Sequence, residues 1–251
     1  IAQWLALRTN FWTGMLASLD ATPGLAELVS QFVLMEEFYA HALHGDCTYE
    51  LLLAETCRAL CDAAFHRGAT GQAKSHVSLS LGTKPMATHG TGLECDSTVP
   101  EQLLDEALRT IERSGLEAVN QRRIARNIGV SASAIAYYFK DMKSFRNRAI
   151  WCALVNGIPS QLDPDNPNAE QPRHLSQWLE TLDAMLRPPS PERASGFYIS
   201  FARLTGQVCL LSVQDASLRP LIAYLRALEG WGTYHVSRNI PALAESIGRD
   251  H

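Results

Sequence analysis

The stretch that decides the fold runs from residue 97 to residue 151 and reads STVPEQLLDEALRTIERSGLEAVNQRRIARNIGVSASAIAYYFKDMKSFRNRAIW. Its apolar residues recur at helical spacing and never alternate for long, which argues against strands. Gly115 and Gly129 interrupt the periodicity at points where a helix ends and the chain turns, because glycine adopts positive φ without steric cost. The stretch therefore predicts three helices in quick succession.

The first of these helices starts near Pro100, a residue suited to a first turn. It ends at Gly115, after which the chain is predicted to return to the core. Its predicted buried residues, and those of the chain that follows, are Leu104, Ala107, Leu108, Ile111, Leu116 and Val119.

The second helix is predicted over residues 121 to 128, with Asn120 as its N-cap and Ile124 and Ala125 facing inward. A tight turn of Gly129, Val130 and Ser131 follows.

Ser131 is predicted to cap a short third helix that runs from 131 to about 138. Ile135 and Phe139 are its expected apolar anchors. Small residues near its start let the backbone approach a major groove, while the tyrosines and Lys140 can reach phosphates.

Charge is segregated along the chain. Residues 99 to 150 hold nine basic and six acidic side chains, a balance of +3. The whole chain holds 22 basic and 26 acidic residues, so the remainder carries 13 and 20, a balance of -7. Such a basic island on an acidic body favours local contact with nucleic acid.

The residues of this island resemble the DNA-binding unit of the tetracycline-repressor (TetR) family, a helix-turn-helix. That family has a helix with Ala and Leu, then G-L, then I-A, then G-V-S, then an aromatic run ending in Phe-Lys. The matching positions, in order and spacing, are Ala107, Leu108, Gly115, Leu116, Ile124, Ala125, Gly129, Val130, Ser131, Tyr137, Phe139 and Lys140.

The resemblance implies a transcriptional regulator that binds double-stranded DNA, expected to be a repressor that responds to a small-molecule effector. Asn120 and Arg122 would meet the DNA backbone, and residues 131 to 138 would enter the major groove. The implied DNA-binding residues are Asn120, Gln121, Arg122, Ser131, Ala132, Ser133, Ala134, Tyr137, Tyr138 and Lys140.

Two positions depart from the family pattern. Ala132 stands where the family often has a basic residue, and Ala136 where it often has Tyr. A regulatory scaffold with a degenerate DNA-binding unit, working through protein contacts, is therefore the alternative function. An all-helical enzyme is a further alternative, although no GxSxG, Walker, HExxH or Rossmann pattern is present. No enzyme activity is expected.

The fold class is predicted as all-α: a TetR-like helix-turn-helix domain with helical-bundle regulatory segments. Residues 1–67 read as the regulatory helices of a first TetR-like unit, 68–98 as a Gly- and Ser-rich linker, 99–150 as the DNA-binding domain and 151–251 as a second regulatory domain. The helices expected besides those three span about 4–19, 25–44, 48–66 with Thr48 as cap, 145–156, 171–187, 192–212 and 216–236, with a short one in 239–251.

A weak internal repeat relates the two regulatory segments, since Trp12 and Leu16 recur as Trp178 and Leu182. We interpret it as a tandem whose first DNA-binding part lies upstream of Ile1. In the family, the last two helices form a four-helix dimer interface. Helices 47–66 and 216–236 would then pack as an internal pseudo-dimer; the alternative is a single unit with a helical extension, which forms a homodimer.

The sequence shows no membrane-spanning run and no export signal, and its six cysteines form no CxxC pair, so a cytoplasmic protein is expected. No cofactor and no metal are expected, although Glu37, His41 and His44 share one helix face. Candidate ligand-binding residues in the second regulatory domain are Trp178, Tyr198, Phe201, Cys209 and Tyr224, each of which also suits plain core.

Overall fold

The computed structural model describes residues 2–18, 25–64, 98–155, 158, 170–187, 197–237 and 239–241. Every regular element in these ranges is helical, which confirms the all-α class. The α-helices are α1 Ala2–Ala17, α2 Leu25–Leu43, α3 Cys47–Ala64, α4 Val99–Ser114, α5 Gln121–Asn127, α6 Ser133–Phe139, α7 Met142–Val155, α8 Leu175–Leu186, α9 Phe197–Ser212 and α10 Arg219–Ser237. Short 3-10 turns, Leu116–Ala118 and Ala216–Leu218, precede α5 and α10.

Several expected elements fall partly outside the described residues. The predicted linker 68–98 lies outside them except for Thr98, and so does most of the short helix expected in 239–251. The same holds for the first residues of the helix expected over 192–212.

Helix starts differ from the expected ones where an aspartate supplies the cap. Asp46 Oδ1 accepts the backbone N–H groups of Thr48 and Tyr49 at 2.9 and 3.1 Å, so α3 begins at Cys47 and the prediction of a Thr48 cap is wrong. Asp141 Oδ1 likewise accepts Ser144 N–H at 2.7 Å, and α7 starts at Met142, three residues before the expected start. In both places the carboxylate satisfies N–H groups of the first turn.

One large hydrophobic core joins α2 and α3, the helices α4 to α7 and the C-terminal pair α9 and α10. α2 packs along both α9 and α10, and the ring of Phe38 lies 3.5 Å from the position that a Cβ on Gly206 would take. A smaller cluster, made by Trp178, Met185 and Ile240, lies apart from it.

The pairing expected between helices 47–66 and 216–236 involves a different helix. α2, and not α3, makes the main contact with α10, and α3 follows through its own contact with α2. Leu52 is buried and Leu53 half buried in the same core as Leu221, Leu225 and Leu228, whereas the side chain of Leu60 lies outside the described residues.

Buried polar groups hold α2 against α10. Arg226 Nε donates to both carboxylate oxygens of Glu36, at 3.0 and 3.1 Å, and its Nη2 lies 3.0 Å from Glu36 Oε2. Tyr49 Oη on α3 donates to Glu36 Oε1 at 2.9 Å, and Tyr39 Oη donates to Glu229 Oε1 at 2.7 Å. Burial raises the pKa of Glu229, and the Tyr39 hydrogen bond and Arg226 oppose the rise.

A polar junction connects α7 to the start of α10. Lys143 Nζ lies 3.1 Å from Asp215 Oδ1, and Asn147 Nδ2 donates to Asp215 Oδ2 at 3.3 Å and to Ser217 Oγ at 3.1 Å. Burial acts to raise the pKa of Asp215, but hydrogen bonds from Ser217, Lys143 and Asn147 together outweigh it and lower the pKa to about 2. The carboxylate therefore stays charged and fixes the helix that leaves the DNA-binding unit.

Candidate nucleic-acid interface

α4 is the support on which the two short helices rest. Its fully buried residues are Leu103, Ala107 and Ile111, whereas Leu104 and Leu108 are half buried. The buried face of α4 therefore differs from the predicted one by a shift of about one residue. Leu116 and Val119 are buried after Gly115, whose φ of +81° confirms the predicted helix stop.

The observed buried face of α4 includes a carboxylate that lies between α4 and α5. Glu106 is 5% exposed and accepts Asn127 Nδ2 at 2.7 Å and Arg109 Nε at 3.0 Å. The hydrogen bond from Asn127 is the main reason why the pKa of Glu106 is lowered. This contact fixes the end of α5, and sequence reasoning missed it because Glu106 looked like one of several solvated charges.

α5 presents three arginines to solvent. Asn120 caps it as predicted, accepting the N–H groups of Arg122 and Arg123 at 3.0 and 3.4 Å. Ile124 is fully buried, as is Ala125, so the opposite face is exposed. The exposed arginines of that face are Arg122, Arg123 and Arg126.

The turn between α5 and α6 has the predicted geometry. Gly129 adopts φ of +76°, and its N–H donates to Arg126 O at 3.1 Å. Val130 N–H donates to Ala125 O at 3.0 Å, which closes the turn. α5 therefore ends at Asn127, one residue before the expected end.

α6 begins later than expected, at Ser133, and the predicted role of Ser131 as its cap is wrong. Ala132 occupies the N-cap position without a side-chain hydrogen bond. The Ser131 hydroxyl lies 2.8 Å from the Ser133 hydroxyl instead, so the two side chains satisfy one another. Ile135 and Phe139 are buried as predicted, and Phe139 packs on Phe145 with ring centroids 4.9 Å apart.

Gln121 connects the starts of the two short helices. Its Nε2 donates to the carbonyl oxygen of Ala132 at 2.7 Å. Gln121 is one of the expected DNA-binding residues, and its side-chain amide contacts the start of α6.

Most of the other expected DNA-binding residues are exposed to solvent. Tyr137 is 69% exposed, and its ring meets that of Tyr138, which is half buried, edge to face at 4.9 Å. Lys140 is exposed and, with φ of +72°, is the one non-glycine residue in the described ranges with positive φ. The other exposed members are Asn120, Arg122, Ser131 and Ser133, and the half-buried ones are Gln121, Ala132 and Ala134.

The expected ligand-binding residues do not form one group. Trp178 is buried in the smaller cluster, whereas Cys209 and Tyr224 are buried in the main core with Phe201 packed against it. Tyr198 is 47% exposed. Among the described residues, no three His, Cys, Asp or Glu side chains are placed to hold a metal ion, and Glu37 pairs with Arg8 at 3.1 Å.

No helix within the described part of the chain is long and apolar enough to cross a membrane. Residues 103–149 match the family model described as "Bacterial regulatory proteins, tetR family". No curated protein and no solved structure matches the chain.

Proposed function

We propose that the chain is a DNA-binding transcriptional regulator of the tetR family and a ligand-responsive repressor, located in the cytoplasm, because residues 103–149 match the model of that family's DNA-binding domain. The observation that carries the proposal is the exposed basic and aromatic surface of α5 and α6, set on a buried support. We assign regulation and not catalysis to this chain.

In the proposed complex the N-terminal part of α6 enters the major groove. Arg122 at the start of α5 and Lys140 after α6 lie at the two ends of the exposed surface and bind phosphates. Ser133, Ala134 and Tyr137 face the base edges. Gln121 holds α6 at its angle through Ala132.

The test of this proposal is the salt dependence of DNA affinity. Replacing both Arg122 and Lys140 with Ala should weaken binding to all sequences alike and lower the slope of log K against log salt by about two. The matched control removes two exposed arginines from the regulatory helices, as Arg58→Ala with Arg203→Ala, and should leave the slope unchanged. An unchanged slope in the first variant would remove both residues from the interface.

We also propose that α2 and α3 pair with α9 and α10 inside one chain as a pseudo-dimer. The Glu36 to Arg226 and Tyr39 to Glu229 contacts support this arrangement, because they join the two regulatory segments through buried groups. An effector bound among Phe201, Cys209 and Tyr224 would act on the DNA-binding unit through the Asp215 junction. A reporter behind a selected binding site should be repressed, and activation would contradict the repressor assignment.

A further inference from the structure

α1 carries an exposed apolar stripe that nothing in the described structure covers. Its members are Trp4, Leu7, Phe11 and Met15, which are 50, 68, 61 and 37% exposed. Their spacing of three or four residues places them on one face of the helix. The opposite face, which includes the buried Leu16, packs on α2.

The stripe has the size of an interaction site. With fully exposed areas of roughly 200 Å² per large side chain, these four residues leave about 400 to 500 Å² of apolar surface in water. α2 covers one face of α1, and the stripe lies on another.

The face of α1 carries no net charge that would oppose self-association. Arg8 is the one charged residue between Ala2 and Ala17. Its side chain is 10% exposed, and its guanidinium lies over the ring of Trp4, 5.2 Å from the centroid. Its Nη1 lies 3.1 Å from Glu37 Oε2 on α2, and this carboxylate balances its charge. Two copies of the stripe can therefore meet without like-charge repulsion. The same lack of exposed basic residues disfavours a lipid surface, where interfacial helices carry Lys and Arg on their polar face.

Gly14 gives the stripe a notch of its own. A Cβ at Gly14 would meet nothing within 4 Å, so no contact with the described part of the chain requires glycine there. Glycine in an exposed helix interior is less favourable than alanine by roughly 1 kcal/mol. Its presence is accounted for if a second helix approaches closely at this point.

We propose that the stripe is a homodimer interface in which α1 packs antiparallel against α1 of a second copy. With the two-fold axis crossing the stripe at the level of residue 9 along α1, Trp4 lies in the notch at Gly14 of the partner subunit and Leu7 lies against Phe11 of the partner subunit. The pairing is isologous, as a two-fold interface requires. It buries about 1,000 Å² in total, which is at the lower limit for a specific interface and gives a dimer that dissociates on dilution.

The experiment is sedimentation equilibrium of the 251-residue chain between about 1 and 100 µM. The average mass should rise with concentration from 27.7 kDa toward twice that value. Leu7→Glu and Phe11→Glu should each keep the mass at that of one chain. Leu51→Glu on α3 and Leu179→Glu on α8 alter side chains that are 58 and 55% exposed, and should leave dimerisation unchanged.

Gly14→Leu is the sharper variant, because it adds apolar surface and should nevertheless weaken the dimer. Filling the notch should raise the dissociation constant at least about tenfold, while Gly14→Ala should have a smaller effect. Helicity measured by circular dichroism shows whether each variant retains α1. Stronger association of Gly14→Leu would overturn the pairing. A wild-type chain that stays monomeric over this concentration range would also overturn it, and cosedimentation of that monomer with phosphatidylcholine vesicles would identify a lipid surface as the partner of the stripe.

Discussion

Gly129 is the residue whose backbone conformation the DNA-binding unit depends on most directly. Its φ of +76° lies in the left-handed region, where a β-branched residue is strained even though a Cβ would meet open space. Gly129→Val should therefore lower the free energy of unfolding by about 1 to 3 kcal/mol and abolish DNA binding before the regulatory helices unfold. Fluorescence anisotropy with labelled DNA and thermal unfolding measure the two effects separately.

The matched control for this prediction is Gly129→Asn, because asparagine tolerates left-handed backbone better than other non-glycine residues. It should retain most of the DNA affinity. If the valine variant binds DNA as the wild type does, the turn does not set the angle between α5 and α6.

The predictions made from the sequence for single residues are confirmed where the conformation depends only on neighbouring residues in the chain. Positive φ at Gly115 and Gly129 and the cap at Asn120 follow from residue type and spacing, and the structure confirms them. Ser131 and Thr48 were wrong as caps because a competing group was present: the Ser133 hydroxyl for one and the Asp46 carboxylate for the other. Residue type and spacing alone do not show which of two nearby polar side chains bonds to a helix terminus.

At the scale of elements, the Glu36 to Arg226 pair fixes α2 against α10. Arg226→Met should lower the free energy of unfolding by about 3 to 5 kcal/mol, since it leaves the Glu36 carboxylate buried without a counter-charge, with the Tyr49 hydroxyl as its remaining partner. Urea denaturation monitored by circular dichroism gives this value. The double variant, Glu36→Leu with Arg226→Met, should recover most of the loss, and a double variant as unstable as the single one would contradict the argument.

The junction between α7 and α10 should weaken in acid. The pKa of Asp215 is lowered to about 2 in the folded chain, below the ordinary aspartate value. A group with a depressed folded-state pKa stabilises above its unfolded-state pKa, and this contribution is lost as pH falls toward the folded-state value. Asp215 should therefore contribute roughly 2 kcal/mol at neutral pH that disappears between about pH 4 and pH 2.

Asp215→Asn tests this prediction. The variant should be less stable than the wild type at pH 7, and the difference should shrink as pH is lowered through this window. Melting temperatures of both proteins at several pH values give the comparison. A difference that is independent of pH would mean that Asp215 is not charged in the junction.

The elements themselves could be read from the sequence, but their partners could not. Helical periodicity predicted both bounds of α2 and the C-terminal end of α9 closely, because amphipathic spacing is a property of each segment alone. That α2 rather than α3 lies against α10 depends on side chains such as Glu36 and Arg226, which meet across the fold. Likewise, the buried face of α4 differs from the predicted face by about one residue because Glu106 bonds to Asn127 and Arg109.

For the whole molecule, the order in which the core is completed follows from the distance along the chain between its partners. The Glu36 to Arg226 and Tyr39 to Glu229 contacts each join residues 190 positions apart. At synthesis rates of about 5 to 20 residues per second, α2 leaves the ribosome roughly 10 to 40 s before α10 exists. The DNA-binding unit, whose contacts are local, can fold in that interval. The apolar face of α2 stays exposed to solvent until α10 has been synthesised. Newly made chains should therefore depend on chaperones during this interval, and slowing translation should increase their aggregation.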